Sequence, residues 1–388
     1  MMSPNYLVLG AGMMGRAAAY DLARFDPSAS VVVADVNAGA AEDAARRAGP
    51  NVRPLALDVN ADAALSKALT GMDVVISAVS YSVNERLTRA AIGAGAHMCD
   101  MGGNNDVVDR QLAMDEDART AGVTIVPNCG LAPGLINILG MEGVRSFDIV
   151  ESVRLRVGGL PLHPRPPLRY QIVFSVEGLI NEYTEPAEVL RGGRRVTVES
   201  MADLEPISFP EPFAALEAFN TSGGLSILPR LLEGRVAELD YKTIRYPGHC
   251  DRMRTLLELG FASHEPIMLG STLRTSRELF TELLRRKLDT GGPDVILARS
   301  TVAGTQGGVR RRLVSEFIDY YDEATGMSAM MRTTAFPTSI IAQQLAHGVI
   351  TRRGVFTPEV CVPAADMVGQ LARRGVTIST TITEEQGA

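Results

Sequence analysis

Tyr6-Leu7-Val8-Leu9-Gly10-Ala11-Gly12-Met13-Met14-Gly15 is the stretch on which the reading of the fold turns. Four apolar residues run into glycines spaced G-x-G-x-x-G, the pattern of a buried strand handing over to a helix around a dinucleotide. Gly10 allows the tight turn, Gly12 lets backbone approach a pyrophosphate, and Gly15 lets the helix pack close to the strand. Met13 and Met14 open that helix, whose exposed N–H groups and positive end hold phosphates.

A second feature strengthens the motif. Asp35 ends the next apolar run, twenty residues past Gly15, where a carboxylate accepts both ribose hydroxyls. The same charge repels a 2′-phosphate, and Val36 and Asn37 follow it rather than an arginine, so the expected cofactor is NAD and not NADP. Asp58, after the third strand, is placed either to meet the adenine end or to cap the helix beyond Asn60. The fourth strand ends in Ser77-Ala78-Val79, beside which the nicotinamide ribose is expected to pass.

Working outward, apolar runs at Tyr6–Leu9, Val31–Ala34, Val52–Ala56, Val74–Ser77, His97–Cys99 and Thr124–Val126 alternate with helical stretches. Those stretches are Met13–Phe25, Ala38–Ala48, Ala61–Leu69, Asn84–Ala94 and Val107–Ala121. Most of the strands lack a polar alternate face, as strands covered on both sides do. Strict alternation predicts an α/β, doubly wound parallel (Rossmann) sheet over residues 1–127.

The pattern changes after Pro127. A proline-and-glycine mouth (Pro133, Gly134) opens a helix, and Val153, Leu155 and Val157 then alternate with polar residues as in a strand with one wet face. Residues 161–167, PLHPRPP, exclude regular structure. Strand-like Asp240–Tyr246 and Val295–Ala298 and helical Asp251–Leu259 and Ser276–Leu288 follow. Residues 128–333 are therefore expected to form a second, α+β domain for substrate binding and oligomerisation. Residues 334–388, helical at Thr338–His347, are expected to pack back on the first domain, with EEQGA at the end disordered.

Composition bounds the partners. The chain has 388 residues and a net charge of −7, which argues against nucleic acid as a partner. The basic runs Arg191–Arg195 and Arg310–Arg312 are short and read as solvated turns. Four widely spaced cysteines offer neither a zinc motif nor a disulfide framework, so no metal is expected. No leader opens the sequence and no apolar run reaches the ~18 residues of a membrane span, so a cytoplasmic, membrane-free setting is expected.

The chemistry must come from residues near the carboxyl ends of the strands and from the second domain. Tyr81 follows the fourth strand, and the fifth and sixth end in Asp100-Met101-Gly102-Gly103 and Pro127-Asn128-Cys129-Gly130. Each is either a ligand contact or simply a βα turn. In the second domain, Glu177 lies in FSVEG, Thr221 in the polar loop NTSGG, and Lys242, Arg245 and His249 in YKTIRYPGHC. An arginine fork fits a substrate carboxylate, and a histidine near neutral pKa is a natural proton acceptor. Surface ion pairs or core hydrogen bonds account for the same residues equally well.

These residues carry a family likeness. LGAGMMG, SYSVNE, DMGG, GVTIVPNCGLAPGLINIL, VGGLP, PPLRYQIVFSVEGLI, LEAFNTSGG, YKTIRYPGH and GVITRRGVFTPE together resemble the saccharopine dehydrogenase superfamily, nearest its lysine 6-dehydrogenase branch. The resemblance implies NAD-dependent oxidation of the ε-amino group of L-lysine to 2-aminoadipate 6-semialdehyde and ammonia, followed by ring closure. It also implies a homodimer or a multiple of dimers. Saccharopine reductases carry an acidic residue in the loop that here reads Leu131-Ala132-Pro133-Gly134, and a cysteine at the place of Val157. Neither Ala132 nor Val157 moves a proton. A basic residue of those relatives stands where this chain has Glu177. The alternative is oxidation or reductive joining of a secondary amine such as saccharopine or carboxynorspermidine; a non-catalytic NAD sensor is the third reading.

On the lysine reading His249 is expected as the base, with Lys242 second. Arg245 would anchor the α-carboxylate, Glu177 or Thr221 the α-ammonium, and Tyr81 and Asn128 would lie close to the nicotinamide.

Overall fold

The computed structural model describes residues 3–385. In chain order the strands are β1 (Asn5–Leu9), β2 (Ser30–Asp35), β3 (Val52–Ala56), β4 (Val74–Ser77), β5 (His97–Asp100), β6 (Thr124–Val126), β7 (Ile149–Pro161), β8 (Ala187–Arg191) and β9 (Arg194–Val198). There follow β10 (Glu205–Ile207), β11 (Leu216–Asn220), β12 (Val236–Arg245), β13 (Pro266–Leu269), β14 (Thr272–Thr275), β15 (Asp294–Gln306), β16 (Val309–Tyr320), β17 (Gly354–Val355) and β18 (Ser379–Glu384). The chain divides into two compact units, Met1–Glu142 with Met331–Thr377, and Gly143–Met330 with Ile378–Ala388.

The first unit holds a parallel sheet in the order β17-β6-β5-β4-β1-β2-β3. Leu7, Leu9, Val75, Met98 and Ile125 come from neighbouring strands and form its core. β3 is the edge strand, which is why it tolerates Pro54, a residue with no N–H for a further ladder. Helices Met13–Phe25, Ala38–Ala48 and Asn84–Ala94 run as the sequence predicts. The stretch expected as one helix over Val107–Ala121 is two, Asn105–Leu112 and Asp115–Thr120. Three acidic residues in its first turn favour the restart.

The second unit holds a mixed sheet in the order β10-β11-β12-β7-β15-β16-β18, with β8 and β9 paired beside β12. β12 lies parallel to β7, while β15 and β16 form a long antiparallel hairpin closing at Gln306 and Val309. One core cluster joins Leu160, Phe213, Ile244 and Leu297; a second joins Tyr170, Ile180, Tyr183, Phe219, Met253 and Phe280.

Several expectations are corrected here. β7 does not have a simple wet face: Arg156 is buried, its charge met by Asp240 and Glu205, each at 2.6 Å. Residues 310–312 lie within β16, not in a turn, and Arg310 and Arg311 pair with Glu151 and Glu384. Residues 334–388 do not all return to the first unit, because β18 pairs antiparallel with β16. That strand takes in Glu384, and the Glu385 N–H reaches the Arg310 carbonyl at 2.9 Å, so neither glutamate is loose; residues 386–388 lie outside the described residues. Among the described residues no helix is long and apolar enough to cross a membrane.

Candidate functional site

In the first unit the three glycines have separate reasons to be glycine. Gly10 has φ +99°, and a Cβ there would stand 2.6 Å from the Ala78 carbonyl oxygen. A Cβ on Gly15 would collide with the Gly10 carbonyl, so helix and turn touch directly. Gly12 is different. Its φ is −68°, and a Cβ would meet nothing within 4 Å. The fold itself demands Gly10 and Gly15, whereas at Gly12 a side chain would only fill open space over the helix N-terminus. That is the cradle a pyrophosphate requires, so the residues fit a bound dinucleotide.

Asp35 closes β2 and fastens this turn. Its Oδ2 accepts the Ala11 N–H and its Oδ1 the Asn37 N–H, each at 2.8 Å. Asp58 uses Oδ1 to accept the Asn60 N–H at 2.8 Å, making a turn ahead of the helix that Ala61 then caps. The Ser77 hydroxyl donates to Asn84 at 2.7 Å and is internally engaged. Ala78 and Val79 form the wall against which Gly10 packs. Met13 is exposed and Met14 partly so.

Tyr81 opens a short 3-10 turn with its ring against Gly103. Asn128 has φ +65° and is buried with its side chain over Gly102; its N–H reaches Asp100 Oδ1 at 3.2 Å. Asp100, its titration pushed up by burial, also accepts from Gln111 and the Gly102 N–H, which ties the exits of β5 and β6 together.

In the second unit Arg245 and His249 come together through Tyr183. Arg245 Nε donates to the Tyr183 hydroxyl at 2.8 Å, and that hydroxyl lies 3.1 Å from His249 Nε2. His249 Nδ1 lies 2.9 Å from the Leu168 carbonyl, which only accepts, so Nδ1 carries the proton and Nε2 accepts from Tyr183. Burial, helped by the Arg245 charge, pushes the histidine down to about 3. It stacks on Phe219 with ring planes 8° apart. Both ring nitrogens are thus engaged within the protein, which leaves no lone pair of His249 free for the base role expected of it in this arrangement.

Lys242 is likewise committed. Its Nζ donates to the Asp203 carbonyl at 2.5 Å and to Glu205 at 2.8 Å, so it is engaged within the protein on two sides. Glu177 does not stand free for a substrate ammonium: Arg277 holds it at 2.9 Å and Thr281 at 3.1 Å. Thr221 shares a hydrogen bond with Thr243 at 2.7 Å.

Two residues the motifs did not single out join Arg245. Tyr170 is buried with its ring centroid 4.7 Å from the Arg245 guanidinium carbon, and its hydroxyl has no hydrogen-bond partner. Glu182, on the helix Val176–Thr184, is half-buried; burial pushes its carboxyl up to about 7 although the Arg245 charge pulls it down. The signal for Glu182 was its position beside the apolar stripe Val176, Leu179, Ile180 and Tyr183 of that helix.

Known proteins share both units. The family model for the saccharopine dehydrogenase NADP binding domain matches residues 6–126, and that for the saccharopine dehydrogenase C-terminal domain matches residues 130–376. Saccharopine dehydrogenase [NADP(+), L-glutamate-forming] of Schizosaccharomyces pombe is 22% identical, over 99% of this chain and 100% of its own length. The mitochondrial alpha-aminoadipic semialdehyde synthase of Mus musculus is 23% identical over 82% of this chain, which spans only 42% of that protein. Among solved structures, apo saccharopine dehydrogenase (L-Glu forming) from Saccharomyces cerevisiae superposes with a TM-score of 0.78 at 19% identity, covering 98% of this chain and 100% of the other. Homospermidine synthase from Legionella pneumophila, solved with NAD, gives 0.68 at 13% identity over 98% and 91%. With one family model on the glycine-turn sheet and another on the mixed sheet that carries Arg245, the chain belongs to the saccharopine dehydrogenase family of oxidoreductases.

Proposed function

We propose that this oxidoreductase takes NAD and oxidises the ε-amino carbon of L-lysine, giving 2-aminoadipate 6-semialdehyde and ammonia. The observation that carries the choice of a primary amine is the pair Ala132 and Val157. These stand where the resemblance expects an acid and a thiol, and Val157 is a buried apolar residue of β7. Asp35 supports NAD, since a 2′-phosphate would face its carboxylate. The names of the sequence relatives favour a second reading, oxidation of the secondary amine of saccharopine with NADP.

A dinucleotide held at the turn of Gly10, Gly12 and Gly15 would supply the two-electron hydride acceptor for the carbon bearing the amine. Overall, R-CH2-NH3+, NAD+ and water give R-CHO, NADH, NH4+ and H+. The nitrogen must be neutral before hydride leaves, because its lone pair drives the departure. His249 and Lys242 are both committed as described, so the ammonium proton leaves to solvent. Arg245 serves the substrate carboxylate, its fork suited to two parallel bonds.

Purified protein with NAD and L-lysine tests the reading. NADH and ammonia forming in equal amounts, with no glutamate, support it. NADH forming only with saccharopine, together with free glutamate, replaces it by the second reading.

A further inference from the structure

Asp100 closes β5 and is 1% exposed. Its Oδ1 accepts the Gly102 N–H at 2.8 Å and the Asn128 N–H at 3.2 Å, and its Oδ2 accepts the Gln111 amide at 2.7 Å. These partners are all neutral. A buried carboxylate met by neutral donors is costly, and what it holds here is unusual backbone: Asn128 at φ +65° and Gly102 at φ +78°. Gln111 comes from the helix Asn105–Leu112, Gly102 from the exit of β5 and Asn128 from the exit of β6, so one side chain ties three elements. The exits interlock around it. A Cβ on Gly102 would collide with the Asn128 carboxamide, and one on Gly103, at φ +134°, would stand 2.6 Å from the ring of Tyr81, which follows β4. In the sheet, β4, β5 and β6 lie on one side of β1, and β2 lies on the other. With a pyrophosphate over Gly12 and the adenosine ribose at Asp35 of β2, the second nucleoside extends over the exits of β4, β5 and β6.

We propose that Asp100 is a positioning residue for the nicotinamide half of the cofactor, its carboxylate setting Gly102, Gly103 and Asn128 as the surface against which the nicotinamide ribose and ring lie. This rests on the reading that a dinucleotide occupies the glycine turn, and it is independent of which amine is oxidised. Asp100 itself touches no ligand and moves no proton, since both of its oxygens are taken by donors of the protein.

Calorimetry on the full chain with NAD and with ADP tests this, because ADP keeps the adenosine and the pyrophosphate and lacks the nicotinamide riboside. Asp100→Asn keeps the shape but turns an NH2 toward an N–H donor. It should weaken NAD ~10-fold and ADP less than ~2-fold, the loss of one charge-assisted contact beneath one half of the ligand. Gln111→Met removes one donor and leaves the exits of β5 and β6 whole. It should lower the ratio of NAD to ADP affinity ~3-fold, and it decides the matter if Asp100→Asn fails to fold. An unchanged ratio, both ligands weakened equally or neither weakened, makes Asp100 a support of the fold alone and overturns the proposal. Wild type that holds NAD no better than ADP overturns it as well. Wild type that binds neither removes the dinucleotide reading and the proposal together. The expected loss of NAD without lysine turnover in the wild type keeps the proposal and removes the reaction.

Discussion

Arg245 donates its Nε–H to the Tyr183 hydroxyl at 2.8 Å, and because an arginine only donates, that hydroxyl must turn its own proton away. The acceptor in reach is His249 Nε2 at 3.1 Å, which fixes the ring's proton on Nδ1 against Leu168. One guanidinium thus orders three side chains in a row.

Removing the middle member leaves both ends stranded. Tyr183→Phe deprives Arg245 Nε of its acceptor and His249 Nε2 of its donor. The expected loss is ~1–3 kcal/mol, from burying unpaired polar groups. Urea titration should show a lower midpoint at unchanged slope; an unchanged midpoint contradicts the relay.

Two groups of this cluster push stability in opposite directions with pH. His249 is held down at about 3 by burial and then Arg245, so its share of stability is present above ~6.5 and is lost as pH falls toward 3. Glu182 is held up at about 7, mainly by burial, so its share is present below ~4.5 and is lost as pH rises through 7. Between those limits the slopes oppose each other. Glu182→Gln removes one of them, and its stability relative to wild type should rise with pH by up to ~1.4 kcal/mol per unit between pH 5 and 6.5. Denaturant unfolding at three pH values checks the sign.

The glycine turn separates fold from ligand. Gly12→Ala has room and an ordinary φ, so the unliganded protein should melt within a few degrees of wild type. Its dinucleotide affinity should fall at least ~10-fold, since the methyl group occupies the approach to the pyrophosphate. Gly15→Ala meets the Gly10 carbonyl and should melt lower with or without cofactor. Thermal melts with and without NAD distinguish the two.

The proposed preference for NAD over NADP rests on Asp35. Asp35→Asn keeps one acceptor oxygen for the Ala11 and Asn37 N–H groups, turns an amide NH2 toward the other, and removes the charge that would face a 2′-phosphate. The ratio of NAD to NADP affinity, expected to favour NAD in the wild type, should drop by ~10-fold, about one charge–charge contact. Fluorescence titration of both dinucleotides measures it; wild-type preference for NADP rejects the assignment.

Much of the first unit is legible from residue order. Runs such as Val74-Val75-Ile76 are apolar throughout because the strand is covered on both faces, and the glycine spacing states its own geometry. The second unit is less legible, since its sheet order depends on pairings such as β12 with β7 that no local pattern announces. The site residues show the same divide. Residue type offered His249 and Lys242 as proton acceptors and Glu177 as a substrate contact, but what engages them lies far along the chain. Leu168 is 81 residues from His249, Glu205 is 37 from Lys242, and Arg277 is 100 from Glu177. Glu182 escaped notice for the converse reason: an acidic residue on a helix is unremarkable until burial and Arg245 surround it.

The last strand, Ser379–Glu384, joins β16 only after residues 331–377 have gone to the other unit. During synthesis the backbone groups along Val309–Tyr320 therefore wait for a segment made some sixty residues later. Until then that edge is a template open to any extended chain nearby. Translation halted near residue 377 would release a product with the glycine turn intact and a raw sheet margin prone to self-association.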